Sequence, residues 1–239
     1  MKMKNKKAGQ IEKKKKHFEN LKAAKARRQG MPSLERQAPV KTAKPTMLLV
    51  CEGINTEPSY FSQFRLASLT IKSVGRGCQE LASKAIQLAK EEDYDQVWCV
   101  FDKDEIGDQA FNAAIQMAKQ CGFQVAYSNQ AFEYWIILHF EDHQGGSMNR
   151  SDYHGKINSY LHPLGARYDG NQKLVTEEIF ALLMGQDPNL KESRTEMAIK
   201  RARKIYEQWD HASPAKEESS TTVFLLVEEI LKYTEPCKI

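Results

Sequence analysis

The chain has 239 residues, of which 41% are hydrophobic and 28% charged, enough for one sizeable α/β core or a smaller core with a subdomain. Cys51, Cys78, Cys99, Cys121 and Cys237 are odd in number, scattered and without a C-x-x-C pair, which argues against zinc ribbons and a disulfide scaffold. The net charge of +4 hides an asymmetry: residues 1–45 hold 15 Lys+Arg against 3 Asp+Glu, a charge of +12, and residues 46–239 carry −8.

The basic arm, 1–45, runs through Lys13 to Lys16, Lys22, Lys25, Arg27 and Arg28. It has too little apolar surface to fold alone, so disorder or ordering by a partner is expected. Its lysines suit phosphate binding with counterion release, or a solvated tail. The start has no apolar stretch of the secretory kind, and no window holds the ~18 apolar residues of a membrane span. A cytoplasmic location without a membrane partner is therefore expected.

Order is expected from Thr46. Residues 46–51 (TMLLVC) are a continuous apolar run, as in a strand buried on both faces. Residues 57–69 read as a helix and 70–74 as a strand closed by Gly75-Arg76-Gly77. Leu81, Ala85, Ile86, Leu88 and Ala89 mark a second helix. Residues 96–101 (QVWCVF) are the clearest strand, ending on Asp102-Lys103-Asp104. Residues 109–121 are helical and stopped by Gly122. A fourth strand, 123–127, leads through Ser128 and Asn129, residues of the cap type, into an aromatic helix, 132–140. Residues 141–172 read as a loop or small insertion. Residues 173–184, 191–209 and 220–233 read as helices, the first beginning near Thr176 with Glu177 and Glu178 in its opening turn and the last with Ser219 to Thr222 as N-cap material. The predicted architecture is an α/β body with a doubly wound, mainly parallel four-stranded sheet at 46–140. A loop insertion and C-terminal helices, 141–239, are expected to pack on it.

Ligands of such sheets sit outside the carboxyl ends of the strands. That rule selects Glu52, Gly75, Asp102, Asp104 and Ser128. Asp102 and Asp104 flank Lys103 and, if extended, point to one side about 6–7 Å apart. Glu57 and Glu133 lie near the starts of the following helices, where a helix-dipole role is the alternative. Five acids at one sheet edge repel one another without a cation, which suits Mg²⁺ or Mn²⁺.

Several segments together resemble the RloB family. They are Cys51-Glu52-Gly53-x-x-Thr56-Glu57-Pro58-x-Tyr60-Phe61, Gly75-x-Gly77, Val100-Phe101-Asp102-x-Asp104, Ala126-Tyr127-Ser128-Asn129-x-x-Phe132-Glu133-x-Trp135, Leu138-His139-Phe140 and Ser220-Thr221-Thr222-Val223. The resemblance spans roughly 46–232. It implies a Toprim-like fold, related to abortive-infection proteins of the AbiL type and to OLD-type nucleases. On that implication Glu52 is a metal ligand or general base and Asp102 and Asp104 are the metal pair. Glu57 and Glu133 are extra carboxylates for a second metal. The Glu52–Glu57 spacing departs from the OLD pattern, so one-metal or two-metal chemistry stays open. Gln130 stands where the family often has Pro, a difference of little expected chemical weight. The resemblance also implies an effector of anti-phage defence beside an ABC-type ATPase.

Gly75, Arg76 and Gly77 could cradle a phosphate, or only form a tight turn. Lys103 could counter phosphate charge. Ser128 and Asn129 are further substrate-contact candidates. His139 is expected to pack within its helix, with substrate contact as the alternative. Phe132, Tyr134, Trp135 and Phe140 read as core. Lys200, Arg201, Arg203 and Lys204 are either a solvated face or a nucleic-acid or partner contact. Val223, Leu226, Val227 and Ile230 could dock a partner or close the protein's own core. No Walker A motif is present. The expectation is a Mg²⁺- or Mn²⁺-dependent nuclease acting on RNA or DNA, with a homo-oligomer allowed. The rivals are a non-catalytic nucleic-acid-binding or sensor subunit and a primase-like nucleotidyl transferase.

Overall fold

The computed structural model describes residues 12–23, 44–75, 77–188 and 191–234. The chain divides into two units, Met1–Ala43 and Lys44–Ile239. In the first, residues 12–23 form a helix, α1, which carries Lys13 to Lys16 and Lys22 and leaves Phe18 and Leu21 exposed.

The second unit runs β1 (Met47–Cys51), α2 (Thr56–Ser62), β2 (Leu69–Ser73), α3 (Cys78–Glu91), β3 (Gln96–Asp102), α4 (Asp108–Gln120), β4 (Gln124–Asn129) and α5 (Glu133–Leu138). It continues through α6 (Arg150–Leu161), α7 (Glu177–Met184), α8 (Arg194–Tyr206), β5 (Ser220–Thr221) and α9 (Val223–Leu231). The sheet order is β2-β1-β3-β4-β5. The first four strands are parallel, and β5 pairs antiparallel with Ser128 and Asn129.

The central strands read as unbroken apolar runs because helices cover both faces. Leu48 and Val50 of β1 face α3 and α4 in one core. Met47, Leu49 and Cys51 face the other way, into a larger core shared with α2 and α5 to α9. Alternation along one strand thus feeds two hydrophobic layers. Tyr60, Phe61 and Phe132 meet edge to face at 5.2–5.9 Å, and Tyr60 meets Phe180 of α7 at 5.5 Å. Such pairs add about 0.5–1.5 kcal/mol each beyond burial. The aromatic residues of 132–135 are core.

Two expectations are corrected. The sheet has a fifth strand: Ser220 and Thr221 form a short strand zipped to β4, while Thr222 N-caps α9 and the Thr221 hydroxyl accepts from Val223 N–H at 3.2 Å. There the Thr221 hydroxyl donates to Tyr127 O at 3.1 Å. The stretch 141–172 contains a full helix, α6, that buries only Tyr153, Ile157, Asn158 and Leu161. Its apolar stripe is one residue wide, too thin for periodicity to reveal. Of the two roles open to Val223, Leu226, Val227 and Ile230 of α9, the fold shows the second: all four are buried and close this protein's own core.

Candidate active site

β1 leads to β2 on one side, and the chain then crosses to place β3 on the other. The carboxyl ends of β1 and β3 are therefore the topological switch point, where a crevice opens. Glu52 follows β1 and Asp102 ends β3. Glu52 stays locked to both neighbours: its N–H donates to Val100 O at 2.8 Å and its C=O accepts from Gly75 N–H at 3.0 Å.

A cavity of about 240 Å³ opens there, lined by Glu52, Glu57, Asp102, Asp104 and Glu133 together with Arg150, Lys173 and the backbone turn Gly53–Thr56. All five carboxylates named from the sequence are brought together, with two cations among them. Glu57 sits in the first turn of α2, and Glu133 opens α5. Asp102 accepts from Phe132 N–H at 3.1 Å, which ties β3 to the turn after β4. Glu133 Oε1 accepts from the Tyr168 hydroxyl at 3.0 Å and lies 3.9 Å from Lys173 Nζ.

Asp104 reaches the cavity differently from expectation. The chain is not extended through it: β3 ends at Asp102 and Asp104 turns with φ +43°. Its N–H donates to Gln130 O at 3.0 Å and its carboxylate pairs with Arg150.

The electrostatics are those of crowded, desolvated acids. Burial and then the Glu57 charge raise Glu52 to about 7, against the opposing Asp102 N–H and Arg150. Burial and the charge of Glu133 raise Glu57, opposed by backbone N–H groups and Lys173. Asp102 is held well above the carboxylate range by burial and by Glu57 and Glu133. Glu52 Oε2 is buried without a partner. Among the described residues, no group of three or more His, Cys, Asp or Glu side chains could hold a metal ion as arranged.

Other named residues lie apart from this cavity. The Lys103 ammonium turns to Ile106 O and lies 3.3 Å from Asp108. Ser128 is buried, its hydroxyl 3.0 Å from that of Thr221. Asn129 donates to Pro214 O at 3.2 Å and Ala215 O at 3.0 Å. His139 is buried, with Nδ1 2.9 Å from Trp135 O; burial and nearby Arg201 and Arg194 lower it to about 3. Gly75 takes φ +65° in the turn after β2, and Gly77 N-caps α3. Arg76 lies outside the described residues. The basic residues of α8 have partners within the chain: Lys200 with Glu192, Arg203 with Glu228, and Lys204 with Asp142. Arg201 donates to Leu138 O at 2.8 Å.

Arg150, Lys173 and Tyr168 escaped sequence reasoning. They come from segments 35–46 positions beyond the acids they meet, and nothing local marks them.

An open α/β sheet with an acidic crevice at its switch point defines the class of fold and site. The profile of RloB-like proteins matches residues 47–230, and the chain belongs to that family. No curated protein and no solved structure matches it.

Proposed function

We propose that this chain is a metal-dependent nuclease that hydrolyses phosphodiester bonds of RNA or DNA. The observation that carries this reading is the convergence of five carboxylates, from three separate chain segments, on one crevice at the switch point. Their donor chemistry fits Mg²⁺ or Mn²⁺, and the unpartnered Glu52 Oε2 is a donor atom in want of a cation. We read the fold as Toprim-like on the same ground: a glutamate after the first strand and a D-x-D after the third.

In this reading Glu52, Asp102 and Asp104 hold the cation, with Glu57 and Glu133 available for a second. The cation, when bound, neutralises phosphate charge and activates water. Burial raises the Glu52 carboxyl to about 7 in the chain without a cation, and a cation held beside it would draw that proton off. Tyr168 and Lys173 orient Glu133. The basic arm offsets the repulsion between a polyanion and an acidic body. The test is incubation of purified protein with tRNA, mRNA and DNA in Mg²⁺ or Mn²⁺. Asp102→Ala and Asp104→Ala are expected to lose at least ~100-fold in rate with the fold intact. Wild-type activity in both variants refutes the site.

The proposal includes an effector role in bacterial anti-phage defence with an ABC-type ATPase; its support is the family resemblance. Co-expression and pull-down with a neighbouring ATPase tests it. A second reading, a non-catalytic nucleic-acid-binding or adaptor subunit, is favoured by the lack, among the described residues, of a preassembled three-ligand group. Tight, metal-independent binding without cleavage would support it.

A further inference from the structure

Gln130 joins two residues at the rim of the acidic crevice. Its C=O accepts from Asp104 N–H at 3.0 Å, and its side-chain Oε1 accepts from Arg150 N–H at 3.2 Å. Its Nε2 donates to Glu218 Oε1 at 2.7 Å. Glu218 in turn accepts from the Ser147 hydroxyl at 3.2 Å. The N-terminal end of α6 is thereby fastened to the turn after β4. The guanidinium that α6 carries is delivered to Asp104, and Gln130 has more chemical weight than the sequence suggested.

Arg150 and Asp104 are a rim pair, with 39% and 37% of their side chains exposed. Arg150 also lines a second, open depression of about 600 Å³ with Glu52, Asp104, Glu105 and Ile106, immediately outside the carboxylates. A half-exposed ion pair contributes little to stability, so exchanging its partner costs little. A guanidinium fork fits carboxylate and phosphate oxygens alike. A divalent cation drawn to Asp104 competes with Arg150 for the same charge.

We propose that Arg150 is a built-in counter-cation that changes partner. It neutralises Asp104 while the carboxylates hold no cation. Once they hold one, it contacts a non-bridging phosphodiester oxygen of the nucleic acid, with Gln130 as its positioning residue. The inference rests on the function proposed above and adds the residue that recognises the substrate's phosphate. It makes cation and polyanion binding mutually supportive, because each removes the competitor of the other.

Two titrations of the full chain test it. Mn²⁺ alone is titrated calorimetrically into wild type, Arg150→Gln and Gln130→Ala. Single-stranded RNA and DNA of one sequence, and inorganic phosphate as a third arm, are then titrated in Ca²⁺ over a range of KCl, with strand integrity checked on a gel. Arg150→Gln is expected to bind Mn²⁺ about two- to fivefold more tightly, having lost the competing cation. It is expected to bind oligonucleotide about tenfold or more weakly, with the slope of log K against log salt shallower by about one. Gln130→Ala moves both quantities in the same directions by less, and Arg150→Lys restores the salt slope. A merely structural role would weaken both affinities together. Unchanged Mn²⁺ affinity or an unchanged salt slope in Arg150→Gln overturns the exchange. Tighter binding of phosphate than of either oligonucleotide overturns the polymer as ligand. Wild type that binds Mn²⁺ and oligonucleotide but leaves the strand whole when Mn²⁺ replaces Ca²⁺ overturns the nuclease reading alone. Wild type that takes up no Mn²⁺ overturns both.

Discussion

A Cβ on Gly53 would stand 2.2 Å from Oε2 of Glu57, so the carboxylate folds back against the turn only because residue 53 has no side chain. Backbone N–H groups of Gly53 and of Glu57 itself face that carboxylate and hold down the rise that burial imposes on it. The atom in the way is the end of a flexible side chain, which can rotate aside. Gly53→Ala is therefore expected to fold, with its melting temperature within a few degrees of wild type. Displacing Glu57 from the crevice is expected to reduce nuclease activity about tenfold or more. Full activity in a well-folded Gly53→Ala removes Glu57 from the working site.

The crowded acids make a stability prediction with a definite sign. Asp102 is held well above its usual range in the folded chain. Between about 3.9, its unfolded value, and that raised value, the folded state binds the extra proton. Stability without metal is thus lost from this group as pH rises through the window. Asp102→Asn keeps an oxygen for the Phe132 N–H and cannot ionise. Its stability advantage over wild type is expected to grow as pH rises above about 4. Adding Mn²⁺ at pH 8 is expected to raise the wild type and not the variant. Parallel melting curves across pH exclude the proposed repulsion.

What the sequence revealed and what it concealed divide along physical lines. β1, β3 and β4 were legible because strands covered on both faces must be apolar throughout, and their carboxyl ends named Glu52, Asp102 and Asp104, with Glu57 and Glu133 following at the starts of the next helices. Helix α7 was legible at its start because Thr176, Glu177 and Glu178 combine a cap with first-turn acids. The Thr176 hydroxyl oxygen accepts from Ile179 N–H at 3.3 Å. β5 was hidden because two residues carry no periodicity and its pairing is decided by β4. Ser128 and Asn129 resembled cap residues because small polar side chains suit caps. In the fold their polar groups are satisfied instead by Thr221, Pro214 and Ala215. The partners of the acids, Arg150, Tyr168 and Lys173, are set by tertiary packing alone.

His139 supplies an independent test with the opposite slope. Its folded value is lowered to about 3, whereas an unfolded imidazole titrates near 6.5. Across that window the unfolded chain binds the extra proton, so this residue's contribution to stability is present above 6.5 and is lost as pH falls. Between pH 6.5 and pH 5 the loss is about 2 kcal/mol. His139→Gln and His139→Phe are expected to lie below wild type at pH 7, where the Nδ1 contact to Trp135 O is intact. By pH 5 that deficit is expected to shrink by about the same 2 kcal/mol. A deficit independent of pH places the imidazole somewhere it can ionise freely.

The last prediction separates the basic arm from the acidic body. Lys44–Ile239 forms a compact unit by itself, and α1 belongs to the other. Removing residues 1–43 is expected to leave a folded body whose melting temperature changes by no more than ~2 °C. The arm's lysines, including Lys13 to Lys16 and Lys22 on α1, carry the positive charge that the body lacks. Each one on a phosphate releases a counterion, so the truncated body is expected to bind oligonucleotide more weakly. Its slope of log K against log salt should be shallower by several units. The crevice is untouched by the deletion, so Mn²⁺ affinity is expected to stay at the wild-type value. An early-melting or aggregating truncation makes the arm structural. An unchanged salt slope assigns its charge to something other than nucleic acid.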